Sequence, residues 1–456
     1  MAVVAPFRGV RYNPDKIENI EEVLTPPYDV INEEEGARFL KQNPYNMIQL
    51  DLRNTGQRAD RDPNRYGEAQ ARFASWQDEQ VLIRDEQPAL YLYFIEYKHP
   101  SGETLIRKGL VGLVGLAEFS EGIVKPHEQT FSGVIEDRLE LMDACGAQFS
   151  QVFSLYSDPE QEIMARLEAA REPEPVIEAR DRDGNLHTLW RVADPEALRE
   201  VARLFQDKSL YIADGHHRYT TALACRKRAL ERDPNLPQDS PYNFIMMYLC
   251  PCEDPGLSVL PTHRLLNLPG QVSAEQAVDV VEPLFMVDEL PDAGGSRESL
   301  VRSLLERMDE CAGQGDTVCL GMYHPGEDRA FLLTVRPEAL QSKVIQAHNA
   351  VLRNLDVVIL SDLLLHGAFG LGHEQCVRDG LVSYFSDVDA ALDAAVKKAV
   401  TETESTPLLF FLNPTKVSQV TDVADQGEIM PHKSTFFYPK ILTGLLLNKL
   451  TCEDEG

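Results

Sequence analysis

The chain has 456 residues, 43% of them hydrophobic, which is enough for a large core and, at roughly 100–200 residues per domain, for two or three domains. Its 44 Lys and Arg stand against 73 Asp and Glu, a formal net charge of −29. A field of that sign repels nucleic acid and anionic lipid over most of the surface and also favours solubility.

"MAVVAPFRGVRYNP" lacks the basic start and long apolar segment of a signal peptide. Pro26-Pro27 then enforces an extended backbone. Asn32 reads as a helix N-cap, with Glu33, Glu34 and Glu35 in the first turn. "NMIQLDL" resembles a short strand, and residues 66 to 82 have helical spacing. "ALYLYFIEYKH" alternates as a strand, and "LIRKGLVGLVGLAEF" reads as a further strand pair. A helix and a hairpin turning at "RDGN" are expected over residues 158 to 190. Asp194-Pro195 opens another helix. "SLYIA" is a short apolar run feeding a helix that begins in "DGHHRYTTALACRKRALE". "PYNFIMMYLCP", "LSVLPTHRLL", "GDTVCLGMYH", "RAFLLTV" and "PLLFFLN" read as strands, with helices around 350 to 366 and after "LVSYFSD". No apolar run reaches about 18 residues, so no membrane helix is expected. The eight cysteines show no paired CxxC spacing and read as free thiols of a reducing, cytoplasmic compartment. A weak boundary near residue 270 divides the chain into an N-terminal α/β region, 1–269, and a C-terminal one, 270–456.

Chemistry concentrates in a few stretches. In "LYIADGHHRYTTAL" a strand ends in a Gly turn and feeds a helix, whose first N–H groups and dipole favour an anion. Gly215 lets the backbone approach a ligand, and Arg218 in the first turn can grip phosphate oxygens. Asp214 can cap the helix or hold a metal that bridges phosphates. Adjacent histidines on a helix point about 100° apart, so His216 and His217 do not share one zinc ion. "KPHEQTFSGVIEDR" gathers His127, Glu128, Thr130, Asp137 and Arg138, and Glu128 is a candidate base or metal ligand. Thr262, His263 and Arg264 interrupt an apolar run in "LPTHRLL". "MPHKSTFFYPK" offers Lys433, Ser434 and Thr435 to a phosphate or carboxylate, although the G-x-x-x-x-G of a P-loop is missing. "TPPYDVI" sets Tyr28 and Asp29 in a rigid loop. Beside each stands a plainer reading: a capped helix with surface histidines, a capped helix start with a solvated acidic face, a satisfied core His–Arg pair, a turn held by hydroxyl groups, and an ordinary turn at Tyr28 and Asp29.

Together "TPPYDVI", "HEQT…DRLELM", "YIADGHHRYTTAL", "LPTHRLL" and "MPHKSTFFYPK" resemble a bacterial and archaeal family catalogued as domain of unknown function 1015, across almost the whole chain. The strand–"DGHHR"–helix segment is also similar to the phosphate-binding motif of the ParB/sulfiredoxin superfamily, which includes archaeal kinases of free L-serine. That second resemblance covers about fifty residues. It implies nucleotide phosphates held by Gly215 and Arg218. His216 stands where sulfiredoxin has a cysteine, which argues against sulfinic-acid reduction.

The expected fold is therefore α+β or mixed α/β, a ParB/sulfiredoxin-like nucleotide-binding core elaborated with extra mixed sheets and helices. The expected activity is a small-molecule phosphotransferase, free L-serine kinase-like, using a nucleotide or pyrophosphate and Mg²⁺. Catalytic candidates are Glu128, Asp214, His216 and His217, with Asp214 and Glu128 as the Mg²⁺ ligands. Phosphate would be held by Gly215, Arg218, Arg264, Lys433, Ser434 and Thr435, and substrate by Tyr28, Asp29, His127, Thr130 and His263. The alternatives are a non-catalytic nucleotide-binding regulatory protein and a phosphomonoester or nucleotide hydrolase. No nucleic-acid or membrane partner is expected, and a homo-oligomer is compatible with the sequence.

Overall fold

The structure is a computed structural model that describes residues 1–51, 64–291, 295–313, 317–402 and 404–450. The chain divides into two compact units, Met1–Ser258 together with the segment from Pro439, and Val259–Tyr438. The division thus falls ahead of residue 269, and the C-terminal segment belongs with the first unit. Backbone pairing fixes it there: Leu447 bridges to Val10, Thr443 to Thr25, and Asn448 to Gln148.

The first unit is built on a nine-stranded mixed sheet. Its strands are β1 (Val4–Ala5), β2 (Leu90–Lys98), β3 (Thr104–Gly115), β4 (Val124–Lys125), β5 (Val152–Tyr156), β6 (Ile177–Arg180), β7 (Leu186–Val192), β8 (Leu210–Asp214) and β9 (Phe244–Pro251). Their order is β4-β8-β5-β9-β3-β2-β7-β6, with β1 pairing β3. Only β4–β8 and β5–β9 are parallel pairs among them. Helices α1 (Glu33–Gln42), α2 (Ile48–Asp51), α3 (Arg65–Asp78) and α4 (Ser132–Cys145) precede α5 (Glu162–Ala170), α6 (Pro195–Phe205) and α7 (His216–Arg232). One face of the sheet packs on α5, α6 and α7, burying Ile163, Leu167, Val201, Phe205, Tyr219 and Ala222 against Leu92, Leu110, Ile212 and Met247. The fit to the sequence patterns is local and physical. Asp194 caps α6 through the N–H groups of Glu196 and Ala197, with Pro195 in its first turn. Asn32 and Glu35 form a reciprocal capping box on the helix Glu33–Gln42.

Two expectations are corrected. "NMIQLDL" contains a helical turn, Ile48–Asp51, rather than a strand, because the Asn46 side chain accepts the Ile48 N–H and starts the turn. "LIRKGLVGLVGLAEF" supplies one long strand, β3, rather than a pair. Its internal glycine Gly109 is not a turn: a Cβ there would lie 2.5 Å from the Tyr248 ring, so the missing side chain makes room for an aromatic neighbour.

The second unit has a six-stranded sheet of β10 (His263–Pro269), β11 (Phe285–Glu289), β12 (Cys319–His324), β13 (Arg329–Val335), β14 (Val382–Phe385) and β15 (Ser405–Phe411). The order is β11-β13-β12-β15-β10-β14, antiparallel throughout. Helices Arg297–Ala312 and Val388–Thr401 bury Leu304, Met308, Leu392 and Ala395 against it. The architecture is thus mixed α+β, as expected. No helix among the described residues is long and apolar enough to cross a membrane.

Candidate functional site

Strand β8 delivers Asp214 to the sheet end, and Gly215 turns the chain into α7. Gly215 has φ +94°, a left-handed conformation, and a Cβ on it would lie 2.9 Å from Arg218 Nε. Both facts call for glycine. No side chain caps the helix start, so its first turn presents backbone donors with the positive end of the helix dipole behind them. The helix is anchored one turn later, where the buried Tyr219 hydroxyl accepts the Ala117 N–H at 3.0 Å and donates to the Ala117 carbonyl at 2.7 Å.

Asp214 sits between two cations. Lys440 Nζ lies 3.1 Å from Oδ2 and Arg218 Nη2 lies 3.8 Å from Oδ1. Burial pushes the Asp214 carboxyl up, but Lys440 and then Arg218 outweigh it and hold the group well below the usual carboxylate range. Arg218 is itself buried and donates to the Gln151 carbonyl. Burial opposes its charge, yet Asp214, Asp29, Tyr28 and Asp51 together hold its proton more tightly than usual.

The two histidines diverge as neighbours on a helix must, and each binds the second motif. His216 Nε2 accepts the His127 N–H at 3.2 Å, and His217 Nε2 accepts the Phe131 N–H at 3.0 Å. The His217 ring also stacks on Phe131, with centroids 5.8 Å apart. With Nε2 accepting, the proton of neutral His216 is on Nδ1, which faces Glu128 Oε2 at 3.6 Å. His216 is 2% exposed. Burial, then the neighbouring His127, push its pKa down to about 3, so it stays neutral near pH 7. The His127 ring meets it edge to face, 4.6 Å between centroids, and is also pushed down by burial. His127, Glu128, Asp214, Gly215, His216, His217 and Arg218 are thus brought together. Thr130, half-buried, lies on the same clamped loop.

A second polar group adjoins Arg218. The Arg138 guanidinium lies over the Tyr28 ring at 4.2 Å and bonds Asp137 Oδ2 at 2.7 Å and the Asp51 carbonyl at 2.5 Å. Asp137 also takes bonds from Arg65 and from the Tyr66 hydroxyl, the latter at 2.6 Å. Tyr28, Asp51, Arg138, Arg218 and Thr221 line a small pocket with about 40 Å³ open to water. That is room for roughly three waters rather than a nucleotide. Asp51 Oδ2 and Thr221 Oγ1 meet no hydrogen-bond partner among the described residues. Burial raises the Asp51 pKa to about 6 against the pull of Arg138 and Arg218. Asp29 is exposed beside this group.

The remaining candidates lie in the second unit. Arg264 donates to the Thr262 carbonyl and, at 2.8 Å, to the Lys433 carbonyl, and lies over the Tyr384 ring. Burial lowers its pKa to about 10. His263 Nδ1 accepts the Leu412 N–H at 3.3 Å, and burial pushes its pKa down to about 3. Lys433 is exposed with φ +59°. The Ser434 hydroxyl turns back to the Pro431 carbonyl, and the Ser434 carbonyl accepts from Thr415. Thr435 is half-buried next to them. These groups form a backbone-held turn within their own unit.

One protein-family model, described as a protein of unknown function (DUF1015), matches residues 4–358. The chain belongs to the DUF1015 family. No curated protein matches this DUF1015 chain. Solved structures similar to it include a free serine kinase variant in complex with AMP, at 13% identity and TM-score 0.31, covering 72% of this chain and 91% of that one. A conserved hypothetical protein from Pyrococcus furiosus has 15% identity, TM-score 0.31 and coverages of 72% and 94%. C-terminally truncated SbnI from Staphylococcus aureus has 10% identity, TM-score 0.34 and coverages of 76% and 90%.

Asp214 is ion-paired to Lys440 and Arg218, and no group of three His, Cys, Asp or Glu is placed to hold a metal among the described residues. The expectation of Mg²⁺ at Asp214 and Glu128 is one for a metal-binding measurement. Lys440 and Asp51 escaped the sequence reading. Lys440 ends the quoted "MPHKSTFFYPK", but nothing in the spacing ties it to a residue 226 positions earlier.

Proposed function

We propose that this protein is a small-molecule phosphotransferase whose phosphate cradle is the start of α7, with a nucleotide or pyrophosphate as donor and free L-serine as the first acceptor to test. The observation that carries the reading is the uncapped helix start at a left-handed Gly215, with the cations Arg218 and Lys440 beside it. Such a start binds anions through backbone N–H groups, and phosphoryl transfer needs mostly positioning and charge neutralisation. The acceptor follows from the "DGHHR" resemblance. In this scheme the acceptor oxygen bonds to the phosphorus, the bond to the donor oxygen breaks, and the acceptor hydroxyl proton passes to Glu128. His216 holds the loop through Nε2, and its Nδ1–H faces Glu128 at 3.6 Å without a hydrogen bond in this structure. No step passes through a metal.

The full chain is incubated with L-serine and ATP, ADP or pyrophosphate, and scored for phosphoserine and free phosphate. Phosphoserine is expected with one donor, and Glu128→Gln should lower kcat by about 10²-fold or more while donor binding persists. Phosphate release without phosphoserine moves the assignment to hydrolysis. No turnover, with no nucleotide-induced rise in melting temperature, overturns it.

A further inference from the structure

Arg107 on β3 is fully buried at 0% exposure, yet its Nε, Nη1 and Nη2 meet no hydrogen-bond acceptor among the described residues. Its guanidinium carbon lies 4.8 Å from the Phe153 ring centroid and 5.4 Å from that of Tyr248. The Tyr248 hydroxyl is buried and meets no nitrogen or oxygen partner among the described residues, its neighbour being the soft Cys250 thiol. Aromatic faces offset part of the charge. They do not satisfy a planar fork of five N–H donors, and an arginine keeps its proton in a protein interior. A buried cation without an anion is strongly unfavourable.

The surroundings are arranged around these donors. Phe153 and Tyr248 are register partners on β5 and β9, and the bare Gly109 on β3 admits the Tyr248 ring. The carboxylate of nearby Asp254 is turned elsewhere, its Oδ1 accepting the backbone N–H groups of Gly256 at 3.0 Å and Lys108 at 3.4 Å. Asp254 feels the Arg107 charge, but no hydrogen bond from the guanidinium to that carboxylate or to any other acceptor occurs among the described residues.

We propose that Arg107 and Tyr248 bind an oxyanion, the carboxylate or phosphate group of a small ligand. These donors are other than those at the start of α7, and the proposal stands independently of the phosphotransferase reading. The guanidinium fork matches either group in a bidentate way, and the tyrosine hydroxyl adds a third donor.

The test titrates the full chain, in chloride buffer, with inorganic phosphate and separately with malonate, following melting temperature and calorimetric stoichiometry. Arg107→Met should melt higher than the wild type without oxyanion, because a lone buried charge has gone. It should also bind one oxyanion fewer per chain. Tyr248→Phe should fold as the wild type and bind the probe at least about tenfold weaker at that site. A response to phosphate alone assigns a phosphate ligand, and one to malonate alone a carboxylate ligand. The proposal is overturned if Arg107→Met is destabilised equally with and without oxyanion, if stoichiometry is unchanged in that variant, or if chloride stabilises the wild type as strongly as either probe.

Discussion

Gly215 carries two separate constraints, a positive φ and the Arg218 guanidinium packed where a side chain would go. Gly215→Ala should therefore lower stability by about 1–3 kcal/mol in urea denaturation and weaken the proposed phosphate binding together. Wild-type phosphate affinity in that variant would dissociate the turn from the cradle. Asp51 allows a sign-determined prediction. Its pKa is raised from 3.8 to about 6, so the folded state holds the proton more tightly than the unfolded one. That contribution is full below pH 3.8 and is lost as pH rises through 6. Asp51→Asn, which cannot ionise, should be more stable than the wild type at pH 7 by up to about 3 kcal/mol. The gain should vanish near pH 4, and a gain independent of pH would point to packing instead. The adjacency of His216 and His217 was legible as a divergence of directions. Their partners were not, because the donors to both rings are backbone N–H groups of a loop some 86–89 residues away.

Among the elements, α7 was the most readable, since a strand, a glycine and an amphipathic run follow one another directly. Its anchor was hidden: Tyr219 looks like one more apolar position, but its hydroxyl closes two bonds with Ala117. Tyr219→Phe keeps the ring and leaves both buried backbone groups unpaired, at a cost of about 1–3 kcal/mol. Urea unfolding measures it, and a cost below about 0.5 kcal/mol would mean that water replaces the hydroxyl. The errors at Ile48–Asp51 and β3 share a cause. Short apolar runs do not separate strand from helical turn, and a glycine inside a strand looks like a turn until the ring that fills its place is known.

Across the whole molecule, buried neutral histidines set the acid limit. Burial lowers the pKa of His127, His187 and His216 in the first unit. The unfolded chain binds their protons below about pH 6.5 while the folded chain does not, so stability falls as pH drops. Each contributes up to about 1.4 kcal/mol per pH unit, and Asp51 offsets roughly one of them between pH 6 and 4. In the second unit His263 is opposed by Asp356, raised to about 6 by burial. Both tryptophans, Trp76 and Trp190, lie in the first unit, so their fluorescence follows that unit's unfolding. The urea midpoint read this way should fall between pH 7 and pH 5, and a constant midpoint would contradict the burial of the histidines. The return of the C-terminal segment also sets an order of events during synthesis. Lys440 is translated 226 residues after its partner Asp214, on the order of 10–45 s later at ordinary elongation rates. The nascent chain therefore carries Asp214 with Arg218 as its one cation of the folded pair while all of the second unit is being made. The ion pair that completes the charge balance at the start of α7 forms only after the whole second unit has been made, and a chain stopped before codon 440 never receives it.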